Sequence, residues 1–186
     1  MPAICRSHGF TLIELLICTT LLVIILTAST HSIGNLVERQ RSQSEIKGLM
    51  RAFHLARTAA INHAQTVTIC PLDADGQCTS NWNSPVSIFL DPGNQKKLSD
   101  DDLLVHVFHA SGNGSFQPAP SNRRHFQFNS LGASRGTMGN VTWCAQNDKA
   151  TLRQQLILSR SGRLRFAQDS NNDGVKEKYD GTPISC

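Results

Sequence analysis

Gly162-Arg163-Leu164-Arg165 places two guanidiniums one residue apart directly behind a glycine. Alternate side chains of an extended strand share a face, so Arg163 and Arg165 project together while Leu164 turns toward a core. The strand-like stretch 156–159 and Phe166 flank the motif, which makes Ser161-Gly162 the turn of a hairpin, with Gly162 supplying the positive φ. Two guanidiniums at a loop tip suit bidentate contact with successive phosphates, a contact that ignores sequence and weakens with salt. Arg160, Arg135, Arg123, Arg124, Lys176 and Lys178 would widen such a patch if they share its face. The plainer reading is a tight turn carrying solvated arginines.

A second group of side chains suggests metal chemistry. Residues 169–180 place oxygen-bearing side chains at the first, third, fifth, ninth and twelfth positions, with Gly174 at the sixth. This is the spacing of a calcium loop, built from Asp169, Asn171, Asp173 and Asp180, except that Asp180 stands where a bidentate Glu is usual. Lys176 and Lys178 oppose a cation and no helical pattern flanks the loop, so an Asn-Asp-Gly turn without metal is the simpler expectation. His106 and His109, three apart in a strand, face opposite ways and do not make a shared ligand pair. Asp100-Asp101-Asp102 is a solvated charge run. No Ser/His/Asp, Cys/His or paired-carboxylate arrangement is legible, which argues against an enzyme, and no cofactor is implied.

The third reactive group is Glu14, alone among apolar residues. From Phe10 to Ile33 there are 24 residues with one formal charge. As a helix they span roughly 36 Å, enough for a hydrocarbon core of about 30 Å. A carboxylate at membrane depth costs about 2.5 kcal/mol or more near the centre and calls for a partner or a role. An ordinary secretory signal with residues 15–26 as its apolar region has no reason to keep such an acid.

These groups need elements to position them. Beyond the apolar run, Ile46, Leu49, Met50, Phe53, Ala56, Ala60, Ile61 and Ala64 recur at helical spacing, while Arg39, Arg41, Glu45, Lys47, Arg51 and Arg57 take other faces. The pattern is one long helix, weakest at Gly34-Asn35. From Thr66 it changes to short strand-like runs at 67–70, 86–90, 103–108, 125–128, 141–144, 156–159 and 163–166. Loops are expected at 73–84, 91–102 and 111–122. The fold class is α+β, one or two antiparallel sheets on a helix. The segments are a leader (1–9), an apolar half-helix (10–33), an amphipathic half-helix (34–65) and one β-rich domain (66–186).

Charge and cysteines add two bounds. Residues 123–186 carry ten Lys and Arg against five acids, a net +5, and that third is where an anionic partner belongs. Cys5 and Cys18 fall in the leader and the apolar run, which leaves Cys70, Cys78, Cys144 and Cys186. Four cysteines in an exported domain suggest two disulfides, and three pairings are possible. The favoured pairing is Cys70 with Cys78 and Cys144 with Cys186. Zinc is disfavoured by the spacing and the oxidising compartment.

The stretch Arg6-Ser7-His8-Gly9-Phe10-Thr11-Leu12-Ile13-Glu14 resembles a type IV prepilin signal. The resemblance implies cleavage by a prepilin peptidase between Gly9 and Phe10, methylation of the new Phe10 amine, and Glu14 meeting that amine on a neighbouring subunit. Ala56-Arg57-Thr58-Ala59-Ala60-Ile61-Asn62, Val67-Thr68-Ile69-Cys70-Pro71, Val86-Ser87-Ile88-Phe89-Leu90-Asp91 and the stretch from Leu158 to Arg165 are similar to the GspH/FimT group of minor pilins and pseudopilins. That group implies the type IV pilin fold, a single-pass inner-membrane protein before assembly and an extracellular pilus afterwards, with other pilin subunits as partners. FimT-type minor pilins that capture DNA in natural transformation resemble the chain at Gly162-Arg163-Leu164-Arg165. The alternative is a purely structural subunit, either a priming minor pilin or a pseudopilin of a type II secretion system, with no ligand.

Overall fold

The computed structural model describes residues 11–186, with the backbone alone for residues 27–33. The chain divides into two compact units, Met1–Glu38 and Arg39–Cys186.

Helix α1 spans Leu12–Asn62 and passes through Gly34-Asn35 without interruption. Thr11 caps its start: the Glu14 N–H donates to Thr11 Oγ1 at 3.3 Å, the Thr-x-x-Glu relation of a capping box. Leu12, Ile13, Leu15, Leu16, Ile17 and residues 21–26 are each more than half exposed. Thr19 and Thr20 return their hydroxyls to the Leu16 and Ile17 carbonyls at 3.0 and 2.9 Å, which satisfies polar groups in an apolar stretch. Among the described residues no helix is long and apolar enough to cross a membrane. The half-helix expected at 10–33 is described only in part, because Phe10 and the side chains of 27–33 lie outside the described residues.

In the second unit, α1 buries Ile46, Leu49, Ala52, Phe53, Ala56, Ala59 and Ala60 in one apolar core. Met50 is half-buried. Ile61 departs from the expected stripe at 48% exposure. Ala64 lies beyond the helix with φ of 52°. The helix ends in a Schellman arrangement: the Gln65 N–H reaches Ala60 O and the Ala64 N–H reaches Ile61 O, each at 3.2 Å. Alanine therefore holds the left-handed position that glycine usually fills.

Among the described residues eight strands form two antiparallel sheets of four. The first contains β1 (Val67–Pro71), β2 (Val86–Leu90), β3 (Leu104–Phe108) and β5 (Phe126–Phe128), in the order β3-β2-β1-β5. The second contains β4 (Gly114–Ala119), β6 (Gly139–Ala145), β7 (Gln154–Leu158) and β8 (Leu164–Phe166), in the order β4-β6-β7-β8. β1 is buried along its whole length because it is a central strand and pairs with both β2 and β5. Its one polar side chain in the middle, Thr68, is absorbed by a network: Thr68 Oγ1 donates to Asp91 Oδ2 at 2.7 Å and accepts from Gln127 Nε2 at 2.9 Å. Both sheets feed the core that covers α1. The α+β expectation is confirmed.

The expectation for residues 111–122 is corrected, since β4 lies inside that supposed loop. Gly, Asn, Ser and Pro disguise it, yet β4 is an edge strand, where the missing N–H of Pro118 costs no ladder bond. Phe116 anchors it against Trp143 with ring centroids 4.7 Å apart. A Cβ at Gly114 would collide with the Trp143 ring and the Cys144 carbonyl. Trp82 and Trp143 are core residues, each 1% exposed. Disulfides join Cys70 to Cys78 and Cys144 to Cys186, with Cα atoms 5.5 and 5.9 Å apart.

Candidate functional site

β7 and β8 pair antiparallel, with Leu158 opposite Leu164 and Ile157 opposite Arg165. The connection is a three-residue loop at 160–162. The Gly162 N–H donates to Ser159 O at 3.0 Å, and the Ser159 N–H donates to Arg163 O at 3.0 Å. Gly162 takes φ of 77°, the left-handed residue that closes such a loop. Ser159 tightens the closure, because its Oγ accepts from the Arg163 N–H at 3.1 Å.

The strand alternation then sets the chemistry. Leu164 is buried in the core at 7% exposure, while Arg163 and Arg165 are exposed. Ser159, Ser161, Arg163 and Arg165 line one open concavity. Among the described residues no side chain or backbone group engages the guanidiniums of Arg160, Arg163 or Arg165. The concavity thus offers two cationic forks beside two hydroxyls, the donor set for an anion with several oxygens.

A second loop buttresses this tip. Ser134 N–H donates to Arg160 O at 3.1 Å, and a Cβ at Gly162 would collide with the Gly132 carbonyl oxygen. Gly132, with φ of 71°, in turn sits close to Ile61 and Arg57 of α1. Gly162 is therefore needed twice, for its φ and for the close approach of two backbones. Ser159 and Ser161 as lining residues and residues 132–134 as support were not evident from the sequence. The first two could have been found from the strand period, since Ser161, Arg163 and Arg165 alternate. The approach of the two loops leaves no sequence signal beyond Gly132 itself.

The other cations are differently placed. Arg123 is committed elsewhere: Nη2 donates to Met138 O at 3.0 Å and the guanidinium lies 4.9 Å from the Phe126 ring centroid. Burial lowers its pKa. Arg135 Nη1 donates to Thr66 Oγ1 at 2.8 Å. The Lys176 ammonium bonds Gln154 Oε1, and Lys178 Nζ donates to Ser185 Oγ at 3.2 Å. Burial, and next Lys47, lowers the Lys176 pKa. Arg124 is exposed. Only Arg160 joins Arg163 and Arg165 on the same hairpin.

Of the carboxylates that the calcium spacing nominates, Asp169 and Asp173 approach one another and Asp180 does not join them. Asp180 is exposed and turned into its own bend, with Oδ1 accepting from the Thr182 N–H at 3.0 Å and hydroxyl at 2.7 Å. Those bonds, the hydroxyl first, hold its carboxyl below the usual range. Asn171 is spent within the loop on Asp173. The carboxylates that converge are Asp169, Asp173 and Glu177. Glu14 is exposed in the first turn of α1, and Gly9 and Phe10 lie outside the described residues.

A long N-terminal helix, a covering pair of antiparallel sheets and two disulfides define a pilin-type subunit. The sequence matches the prokaryotic N-terminal methylation motif over residues 4–30 and the family described as type II transport protein GspH over residues 45–162. The chain belongs to the GspH family of minor pilins and pseudopilins, whose members are structural proteins rather than enzymes. The fold is similar to that of the type IV minor pilin FimU of Pseudomonas aeruginosa, at 20% identity and a TM-score of 0.56 over 72% of this chain and 92% of that one. A second crystal form of FimU gives 19% identity and a TM-score of 0.54 over 68% and 92%. At that identity the likeness speaks for the fold. No curated protein matches the sequence.

Proposed function

We propose that this chain is a minor type IV pilin that binds DNA for uptake through Arg163, Arg165 and Arg160 on the β7–β8 hairpin. The observation carrying the reading is the pair of exposed guanidiniums, engaged by nothing else among the described residues, beside Ser159 and Ser161 in one concavity. The net +5 of residues 123–186 supports it by raising the local density of a polyanion. The concavity is open, so it suits a backbone that passes over the tip. Contact of this kind reads phosphates and not bases.

In this reading the prepilin peptidase removes residues 1–9 after Gly9, and Phe10 becomes the mature N-terminus. Residues 10–33 form the half-helix held first in the inner membrane and then among other pilin subunits. Glu14 sets the register between subunits by meeting the Phe10 amine of a neighbour. Residues 34–65 attach the domain 66–186 to that helix, so that the hairpin is displayed outside the cell.

The test is fluorescence anisotropy of the detergent-solubilised full chain with a short duplex at two salt concentrations. Arg163→Gln with Arg165→Gln should weaken binding and flatten the plot of log affinity against log salt by about 0.9 for each phosphate no longer neutralised. Binding left unchanged by the double substitution removes the claim. A second reading is favoured by the family's description as a type II transport protein: a pseudopilin that builds a secretion fibre and binds no nucleic acid. Absence of wild-type affinity at low salt selects it.

A further inference from the structure

The loop that buttresses the arginine hairpin carries a side chain that neither the core nor phosphate contact uses. Leu131 is 83% exposed, more than any other aliphatic side chain among the described residues 39–186. Single exposed leucines are ordinary on protein surfaces. Rigidity and place set this one apart.

The loop at 129–133 is closed on itself. The Asn129 N–H donates to Ala133 O at 2.9 Å, and the Gly132 N–H donates to Asn129 O at 2.8 Å. Asn129 Oδ1 accepts from the N–H of Leu131 at 3.1 Å and from that of Ala133 at 2.9 Å. The backbone under Leu131 is fixed before any partner arrives, so little chain entropy is lost when its side chain is covered.

The place follows from the packing of the two loops. A Cβ at Gly162 would collide with the Gly132 carbonyl oxygen, and the Ser134 N–H donates to Arg160 O. Leu131 is one residue, about 3.8 Å of backbone, from that contact. It therefore stands beside the loop that displays Arg160, Arg163 and Arg165. Ile61, 48% exposed, lies close to Gly132 and extends the apolar surface.

The surrounding charge narrows the occupant. Across residues 123–168 the only acid is Asp148, and its Oδ1 is held by Arg153 Nη2 at 2.9 Å. An apolar side chain in so basic a setting suits a partner that is itself anionic outside and apolar within. Duplex DNA is built that way, with phosphates at its surface and base faces that come within reach wherever a step opens.

We propose, resting on the DNA reading of the hairpin, that Leu131 is an apolar wedge. Its side chain enters a base step of the duplex whose phosphates Arg163 and Arg165 hold, and unstacks that step in part. Leucine serves this purpose in other proteins that kink DNA. The preferred ligand is then DNA that opens cheaply, at pyrimidine–purine steps or mismatches, rather than a stiff A-tract. No base edge is read, so the preference is for deformability and not for sequence as such.

The experiment uses the detergent-solubilised full chain and two short duplexes of equal length, one a stiff A-tract and one with a central mismatch. Each carries a fluorescent adenine analogue that brightens on unstacking. The wild type should bind the mismatched duplex about tenfold more tightly and brighten the analogue at saturation. Leu131→Ala, at an exposed position that leaves the fold intact, should lose the preference and the brightening. It should keep the wild-type salt slope, because no phosphate contact is removed. Leu131→Phe should restore what Leu131→Ala loses. Absence of any wild-type affinity at low salt ends the DNA reading and the wedge with it. Wild-type binding with Leu131→Ala equal in preference and brightening overturns the wedge alone. So does a Leu131→Ala variant that changes only self-association, read by light scattering, since the leucine then faces a second copy of the chain.

Discussion

The hairpin tip at 160–162 and the turn at 169–177 are a few residues apart, and each pivots on a glycine of positive φ, yet they handle charge in opposite ways. At Gly162 (φ 77°) the loop is wedged against the Gly132 backbone and its cations are exposed. At Gly174 (φ 86°) a Cβ would meet only Thr151 Cγ2, at 3.9 Å, and carboxylate oxygens of Asp169, Asp173 and Glu177 lie within 4.8 Å of one another. Their anchors differ too. The hairpin is fixed by its own ladder and the neighbouring loop, whereas the turn is fixed from a distance by the Cys186 disulfide and by Arg153, whose Nη1 donates to Ile184 O at 2.9 Å. The same local device thus serves display in one place and convergence in the other, and packing decides which.

The contrast breaks most visibly at the disulfides. Cys144 and Cys186 are 42 residues apart, against 8 for Cys70 and Cys78. Chain entropy then predicts a loss of about 4 kcal/mol for the first bridge and about 2.5 for the second. Replacing Cys144 and Cys186 by Ser should lower the denaturant midpoint more than replacing the other pair. Hydrogen exchange should quicken over 169–186 while residues 156–165 stay protected.

Next in size are the glycines. Gly174→Ala meets only the left-handed penalty of roughly 1–2 kcal/mol, while Gly162→Ala adds a backbone collision and should cost about twice as much. Thermal unfolding that finds the two equal would show that the close approach to Gly132 is not a constraint. The converse change, Ala64→Gly at the end of α1, should raise stability by about 1 kcal/mol, since Ala64 already sits at φ of 52°.

The smallest effect is on pH dependence. Burial lowers the His125 pKa, with Lys96 and Arg123 adding to the shift and Asp91 opposing it. The folded pKa then lies below the unfolded value of about 6.5, so the unfolded chain binds more protons between the two. Stability is full above that range and falls as acid is added through it. His125→Gln should flatten that acid limb in unfolding curves measured from pH 7 to pH 5, while leaving both loops unchanged.

Much of the hairpin was legible because it is local. The alternation of Arg163, Leu164 and Arg165 and the glycine before them specify face and turn without any distant contact. The calcium-type spacing was legible as well, but which of its carboxylates approach one another was not. Asp180 is drawn off by Thr182, two residues away, and nothing in the spacing shows that Glu177 is pulled inside. β4 was missed because its composition reads as a breaker, and only pairing with β6 and the burial of Phe116 against Trp143 make it a strand.

The sequence by itself determined the long helix, the strands with clear alternation, the two turn glycines and the even set of four cysteines beyond the apolar run. These follow from periodicity and backbone sterics acting over a few residues. Tertiary structure alone decided which other cations are drawn away from the hairpin, that Phe116 packs against Trp143 to make β4 a strand, and that two glycine backbones touch. Each of those depends on segments distant in sequence being brought within a few ångströms by a shared core.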